Sequence, residues 1–183
     1  MLLKAETSQV LVIDVQERLV PAMHEGERMV EKCAVLMQAA HRLSIPVTVS
    51  EQYRKGLGAT VTRLDNVKGD APVMEKMHFS CAADPAMGAH VRGLAQSGKN
   101  QLLICGIEAH VCVGQSALEF KGMGLDVFVS IDAVTARAPE SVAVATERMR
   151  AAGISIVTTE AALFEWLHIA GTPAFKDLSK LIK

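Results

Sequence analysis

Leu102-Leu103-Ile104-Cys105-Gly106-Ile107-Glu108-Ala109-His110-Val111-Cys112-Val113 runs from four apolar residues, through a glycine and a carboxylate, into a helical pattern. The apolar part, 102–105, does not alternate with polar residues. A strand covered on both faces has that signature, which favours a parallel sheet. Beyond it, Val113, Ala117 and Phe120 fall on one side of a helix starting near Cys112. Strand, short turn and helix in this order form half of a right-handed βαβ crossover.

The same alternation fills the chain. Apolar runs recur at 10–13, 47–49, 73–74, 127–129 and 154–157. Between them, Met29, Cys33, Leu36, Met37 and Ala40 repeat at three- and four-residue steps. Asp84 caps a second helix, with Pro85 at its first position and Gly98 as its stop signal. Pro139 opens another, which passes Val142, Ala145 and Met149 and stops at Gly153. A last helix follows Thr159 and holds Leu163, Phe164 and Leu167. Residues 50–73 show no helical period and read as a long surface loop, a feature often tied to function. This pattern predicts one α/β domain over residues 1–183, a three-layer doubly wound sandwich. Its six-stranded, mainly parallel sheet would have the order 3-2-1-4-5-6. Ligands of such sheets sit beyond the carboxyl ends of the strands, in the crevice between the first and fourth. Two segments border that crevice: Asp14-Val15-Gln16 and the stretch from Gly106 to Cys112.

Composition narrows the function classes. The 183 residues carry 19 Lys+Arg against 20 Asp+Glu, a net charge of −1, and half are apolar. Nothing resembles the basic stripe of a nucleic-acid binder, and one Trp, one Tyr and five Phe leave little for base stacking. No apolar run approaches the roughly 18–20 residues of a membrane span. Met1-Leu2-Leu3-Lys4-Ala5-Glu6 lacks a basic segment followed by an apolar one, which points away from a signal peptide. The cysteines at 33, 81, 105 and 112 form no CxxC pair and no zinc spacing, as expected of reduced thiols in the cytoplasm.

Three side chains at the crevice can carry chemistry. Cys112 at a helix start is either a thiol whose pKa is lowered by free N–H groups or an inert packing thiol. Cys33 and Cys105, on a helix face and inside a strand, fit the packing role. Asp14, after four apolar strand residues, is either a helix cap or an acid/base group. Lys76 closes the third run, where its stem can carry the ammonium to Asp14; the plain alternative is a surface lysine paired with a nearby acid. In the assumed order it must reach across the second strand. Gln16 either orients Asp14 or a ligand amide, or is a solvated loop residue. Gly122 and Gly124 lead into a strand, not a helix, so they mark a helix stop and not a dinucleotide loop. No glycine- or Ser/Thr-rich phosphate loop follows the first strand, which argues against a flavodoxin-type protein.

Asp14-x-Gln16, Lys76 and Gly106–Cys112, in that order on those elements, resemble the isochorismatase-like cysteine hydrolases. That superfamily includes nicotinamidases and N-carbamoylsarcosine amidase. Ser50-Glu51-Gln52-Tyr53 and Leu163-Phe164-Glu165-Trp166 bring the chain nearest to isochorismatase-domain proteins of undefined substrate. The resemblance implies an Asp14, Lys76, Cys112 triad that hydrolyses a small amide or related C–N carbonyl compound through a thioester. It also implies a cis peptide between Ile107 and Glu108 that turns the N–H groups of Glu108 and Cys112 toward an oxyanion. Metal-binding nicotinamidases place an Asp and two His around the pocket. Here Ser50-Glu51-Gln52-Tyr53 contains no histidine, so neither a metal nor another cofactor is expected. True isochorismatases cleave a vinyl ether and lack the cysteine, so Cys112 points to acyl transfer. Gln16, Gln52, Tyr53, Phe79 and His110 are the expected substrate contacts. Relatives usually assemble, and the apolar positions of 163–182 could dock on a second subunit or on their own domain; a homo-oligomer is expected. Because folds host unrelated functions, a non-catalytic binding or scaffold role is the alternative.

Overall fold

A computed structural model describes residues 1–182. Its six strands are β1 (Ser8–Ile13), β2 (Val47–Gln52), β3 (Val73–Lys76), β4 (Gln101–Ile107), β5 (Asp126–Thr135) and β6 (Ser155–Val157). They form one sheet of order β3-β2-β1-β4-β5-β6, with every neighbouring pair parallel. The helices are α1 (Gly26–Arg42), α2 (Arg54–Leu57), α3 (Thr62–Asp65), α4 (Pro85–Gln96), α5 (Gly114–Gly122), α6 (Pro139–Ala151), α7 (Thr159–Leu167) and α8 (Pro173–Leu178).

Side chains alternate across the sheet and so build two cores. Val10, Val12, Leu103, Cys105 and Phe128 face α1 and α7, joined by Met29, Cys33, Met37, Leu163 and Trp166. Leu11, Ile13, Leu102, Ile104 and Val129 face the opposite layer, against Met87, Val91, Ala117, Phe120 and Met149. With both faces covered, the strands need continuous apolar sequence. Burying each large side chain contributes about 1.5–3 kcal/mol. Asp84 accepts hydrogen bonds from the N–H groups of Ala86 and Met87, capping α4 as its sequence suggests.

Two expectations need correcting. Residues 50–73 are not one loop: 50–52 extend β2, and α2 and α3 each add a single turn. One helical turn is too short to show a period in sequence; buried Leu64 anchors α3. Second, α5 does not start at Cys112. A π-helical turn, Ala109–Val113, precedes it. Gly114 permits this turn, because a Cβ there would lie 2.7 Å from the carbonyl oxygen of Ala109. Of the two docking places open to the C-terminal helices, the structure shows their own domain: Trp166 and Leu178 are buried, and Trp166 Nε1 donates to Ser8 Oγ at 2.9 Å.

Gly106 explains how β1 and β4 approach each other so closely at the crevice. It has φ +114°, and a Cβ would collide with the Ile13 carbonyl. Only glycine combines that angle with that contact.

Candidate active site

The carboxyl ends of β1, β2 and β3 bring three polar side chains together below the surface. Asp14 leaves β1 in a left-handed conformation, φ 53°. Its N–H donates to the Ser50 carbonyl at 3.1 Å, and its own carbonyl accepts from Gln16 N at 2.9 Å. These two bonds pin a backbone that an aspartate can adopt at modest cost. Its carboxylate takes a donor on each oxygen: Ser50 Oγ on Oδ1 at 2.7 Å, and Lys76 Nζ on Oδ2 at 2.7 Å. Lys76 therefore does reach across β2, and its side chain is fully buried. The ammonium also donates to Gln52 Oε1 at 2.7 Å, Phe79 O at 3.1 Å and His78 O at 3.2 Å.

Electrostatics favour the charged form of Lys76. Burial, the largest single influence, works against the Lys76 charge, but attraction from Asp14, Cys81 and Cys112 and the hydrogen bond to Asp14 together raise the ammonium above the ordinary lysine range. Cys112, in the turn after β4, is buried as well, with 6% of its surface exposed. Of the two readings of this thiol, the lowered pKa is not what its surroundings produce. Burial first, and the facing Asp14 carboxylate second, push the resting thiol well up, while Lys76 pulls it the other way. Desolvation and a like charge outweigh the partial charge of the turn.

The structure gives two expected substrate contacts other work. Gln16 is fully buried, and its amide donates to Gln52 O at 3.0 Å and Gly58 O at 2.7 Å while accepting from Gln52 N at 2.8 Å. Gln52 accepts from Lys76 and donates to Met77 O at 2.9 Å. Both glutamines thus position Lys76 and the chain around it; Gln16 Nε2 uses both of its hydrogens, whereas Gln52 Nε2 uses one. Tyr53 and Phe79 are exposed. His110 lies two residues before Cys112, and its Nδ1 is buried without a hydrogen-bond partner. The Ile107–Glu108 peptide is cis. The Glu108 carboxylate turns away from Cys112 chemistry and accepts from Arg137 Nε at 3.2 Å.

Ser50, Cys81 and Ser116 were missed in the sequence. Ser50 grips Asp14 through both backbone and hydroxyl. Ser116 Oγ donates to Cys112 O at 2.6 Å and accepts from Cys81 N at 2.8 Å, tying the turn that carries Cys112 to the segment after Lys76. Cys81 is fully buried, and burial pushes its thiol up to about 11. A serine at the end of an apolar strand was the one available signal for Ser50. Among the described residues, no group of three or more His, Cys, Asp or Glu side chains could hold a metal. A cleft of about 500 Å³ between the start of α1 and α6, lined by His24, Met29, Val134, Thr135, Val142 and Thr146, contains none of Asp14, Lys76 and Cys112.

Residues 8–161 match the family described as the Isochorismatase domain. The chain belongs to the isochorismatase family. A secreted isochorismatase effector of Phytophthora sojae is 37% identical over 97% of this chain and 85% of its own. A structure described as the MAR1 ribonuclease of Caenorhabditis elegans superposes with TM-score 0.92 at 32% identity, covering 100% of this chain and 92% of that one. The Escherichia coli YcaC gene product, described as an octameric hydrolase of unknown specificity, superposes with TM-score 0.91 at 24% identity, covering 99% and 90%. The isochorismatase fold thus extends over the whole chain, including the doubly wound order of its sheet.

Proposed function

We propose that the protein is a thiol-dependent hydrolase of a small amide or related C–N carbonyl compound. One observation carries this reading: a buried Lys76–Asp14 ion pair of 2.7 Å that interacts directly with the buried Cys112 thiol. Asp14 takes the thiol proton as the sulfur attacks the carbonyl carbon. The tetrahedral oxyanion is met by the N–H groups of Glu108 and Cys112. The C–N bond then breaks, and Asp14 returns its proton to the leaving nitrogen. A thioester remains on Cys112. Water attacks it, giving up a proton to Asp14, and that proton goes to the departing thiolate. The sum is amide plus water to carboxylic acid plus amine. Lys76 donates to Oδ2 throughout and holds the carboxylate in place.

The role of Asp14 can be read without knowing the substrate. If Asp14 acts only as a nearby charge, Asp14→Asn removes a carboxylate that suppresses the thiolate, and Cys112 alkylates faster. If Asp14 accepts the proton, the same change removes the base, and alkylation slows. We expect iodoacetamide to modify Cys112 about tenfold more slowly in Asp14→Asn at neutral pH. The rate is measured by peptide mass spectrometry with Cys33 and Cys105 as internal references. Acceleration would overturn the base assignment.

The Caenorhabditis elegans relative bears a ribonuclease name. A net charge of −1 and seven aromatic residues offer little to a polyanion, so the reading here stays with a small molecule. Among the described residues, no helix is long and apolar enough to cross a membrane. Four unpaired thiols suit a reducing compartment, and we place the protein in the cytoplasm on that ground. We extend the reading to a homo-oligomer, supported by the octamer of the YcaC neighbour and by exposed Val144 and Phe164. Light scattering at micromolar concentration should give a mass of two or more chains; a monomer refutes it.

A further inference from the structure

We propose that Cys81 is a second functional thiol of this site, which closes a disulfide with Cys112 once a hydroperoxide has oxidised that sulfur. This goes beyond the hydrolase reading and needs only its reactive Cys112. The hydrolytic steps make no use of Cys81, which is fully buried, as are Cys33 and Cys105. Cys112, with 6% of its surface exposed, is the one cysteine open to solvent, and all four are unpaired. An oxidant therefore meets sulfur at Cys112 first. Cys81 shares a core layer with Cys112, whereas Cys33 and Cys105 belong to the core on the other face of the sheet. Two sets of contacts tie Cys81 to Cys112. On one side, the Ser116 hydroxyl donates to Cys112 O at 2.6 Å and accepts from Cys81 N at 2.8 Å, so the two main chains lie two hydrogen bonds apart. On the other, the Cys112 thiol is a hydrogen-bond neighbour of Asp14, Asp14 Oδ1 accepts from Ser50 Oγ at 2.7 Å, and Ser50 is a hydrogen-bond neighbour of the Cys81 thiol. These contacts close a ring through both cysteines, and the Lys76–Asp14 pair acts on each thiol.

The chemistry balances with the hydroperoxide as its only reagent, here hydrogen peroxide. The Cys112 sulfur attacks one peroxide oxygen, the O–O bond breaks, and the thiol proton leaves with the other oxygen as water. Cys112 is then a sulfenic acid; its sulfur has given up two electrons and the peroxide has taken them. The Cys81 sulfur attacks the Cys112 sulfur, the S–O bond breaks, and the departing hydroxide takes the Cys81 proton to form a second water. Burial holds that proton on resting Cys81, and Lys76 is the strongest influence the other way. The disulfide keeps Cys112 from the irreversible acids, and a dithiol reopens it.

The full chain is treated with hydrogen peroxide, unfolded in iodoacetamide to block every remaining thiol, and digested without reductant. Peptide mass spectrometry of the wild type should find the Cys81 and Cys112 peptides joined, two hydrogens lighter than the free pair. Dithiothreitol added before blocking should return Cys112 to alkylation. In Cys81→Ala that recovery should fall about tenfold, because a sulfenic acid without a second thiol goes on to sulfinic acid. Wild-type Cys112 that reaches sulfinic acid with no link to Cys81, or stays a free thiol under peroxide sufficient to oxidise glutathione, overturns the proposal. So does a link to Cys33, to Cys105 or to a second copy, or equal recovery in Cys81→Ala. The wild-type link is read without the variant, so a variant that fails to fold leaves the test standing. If Cys112 reacts with neither peroxide nor iodoacetamide in folded protein, the hydrolase reading itself falls, a result distinct from oxidation without the link.

Discussion

Replacing Cys112 with alanine should lower amide turnover by on the order of 10³-fold or more and leave the fold intact. The nucleophile and its base act as a unit, so removing one member forfeits the covalent route and leaves only binding and oxyanion contacts. The fold should tolerate the change. Cys112 lies in a turn that Ser116 holds through the backbone carbonyl, and that bond needs no thiol. Removing one sulfur from a buried site costs about 1 kcal/mol, a few degrees of melting temperature for a chain of this size. The measurement is turnover of an amide found in a small-molecule screen, paired with thermal melting. A loss of only a few-fold would show that Cys112 is not the nucleophile. Cys112→Ser should be nearly as inactive, because Asp14 would then face an alcohol much less acidic than a thiol.

The strand order and the polar residues at the strand ends were legible for a shared reason. A parallel strand covered on both faces must be apolar along its length, so 10–13 and 102–105 announced themselves. The first polar residue beyond such a strand is then conspicuous, and Asp14 is that residue after 10–13, while Lys76 follows Glu75 after 73–74. What stayed hidden depends on contacts between distant segments. Sequence does not reveal that the Gln16 amide is bonded to Gln52 and Gly58, nor that the Gln52 amide is bonded to Lys76 and Met77. Ser50 and Ser116 are small hydroxyls that look like filler until Asp14 and Cys81 are placed beside them. The π-turn at 109–113 needs Gly114, one glycine among 13. The direction of the Cys112 shift was missed for the same cause. A helix start favours a thiolate, but burial and a facing carboxylate are properties of the assembled site.

Lys76→Met should be the most destabilising single change at the site, by about 3–5 kcal/mol, because it leaves the Asp14 carboxylate buried without its counter-charge. Ser50 alone would remain to it, a neutral donor on one oxygen. Asp14→Asn errs the other way and strands a buried ammonium. The double variant removes both charges, so its cost should fall below the sum of the two single costs by at least about 1 kcal/mol. Urea denaturation of the four proteins closes the cycle, and strictly additive costs would mean that the pair contributes nothing jointly. The pH dependence has a definite sign. The folded-state pKa of Lys76 is raised, so its contribution is complete below the unfolded lysine pKa of about 10.4. It is lost only as pH climbs through the raised value. Wild type should therefore lose stability relative to Lys76→Met in the strongly alkaline range, and the gap between them should stay constant from pH 6 to 9. A gap that narrows within that window would mean that the ammonium titrates lower than its surroundings dictate, and that Asp14 does not hold it as the 2.7 Å contact requires.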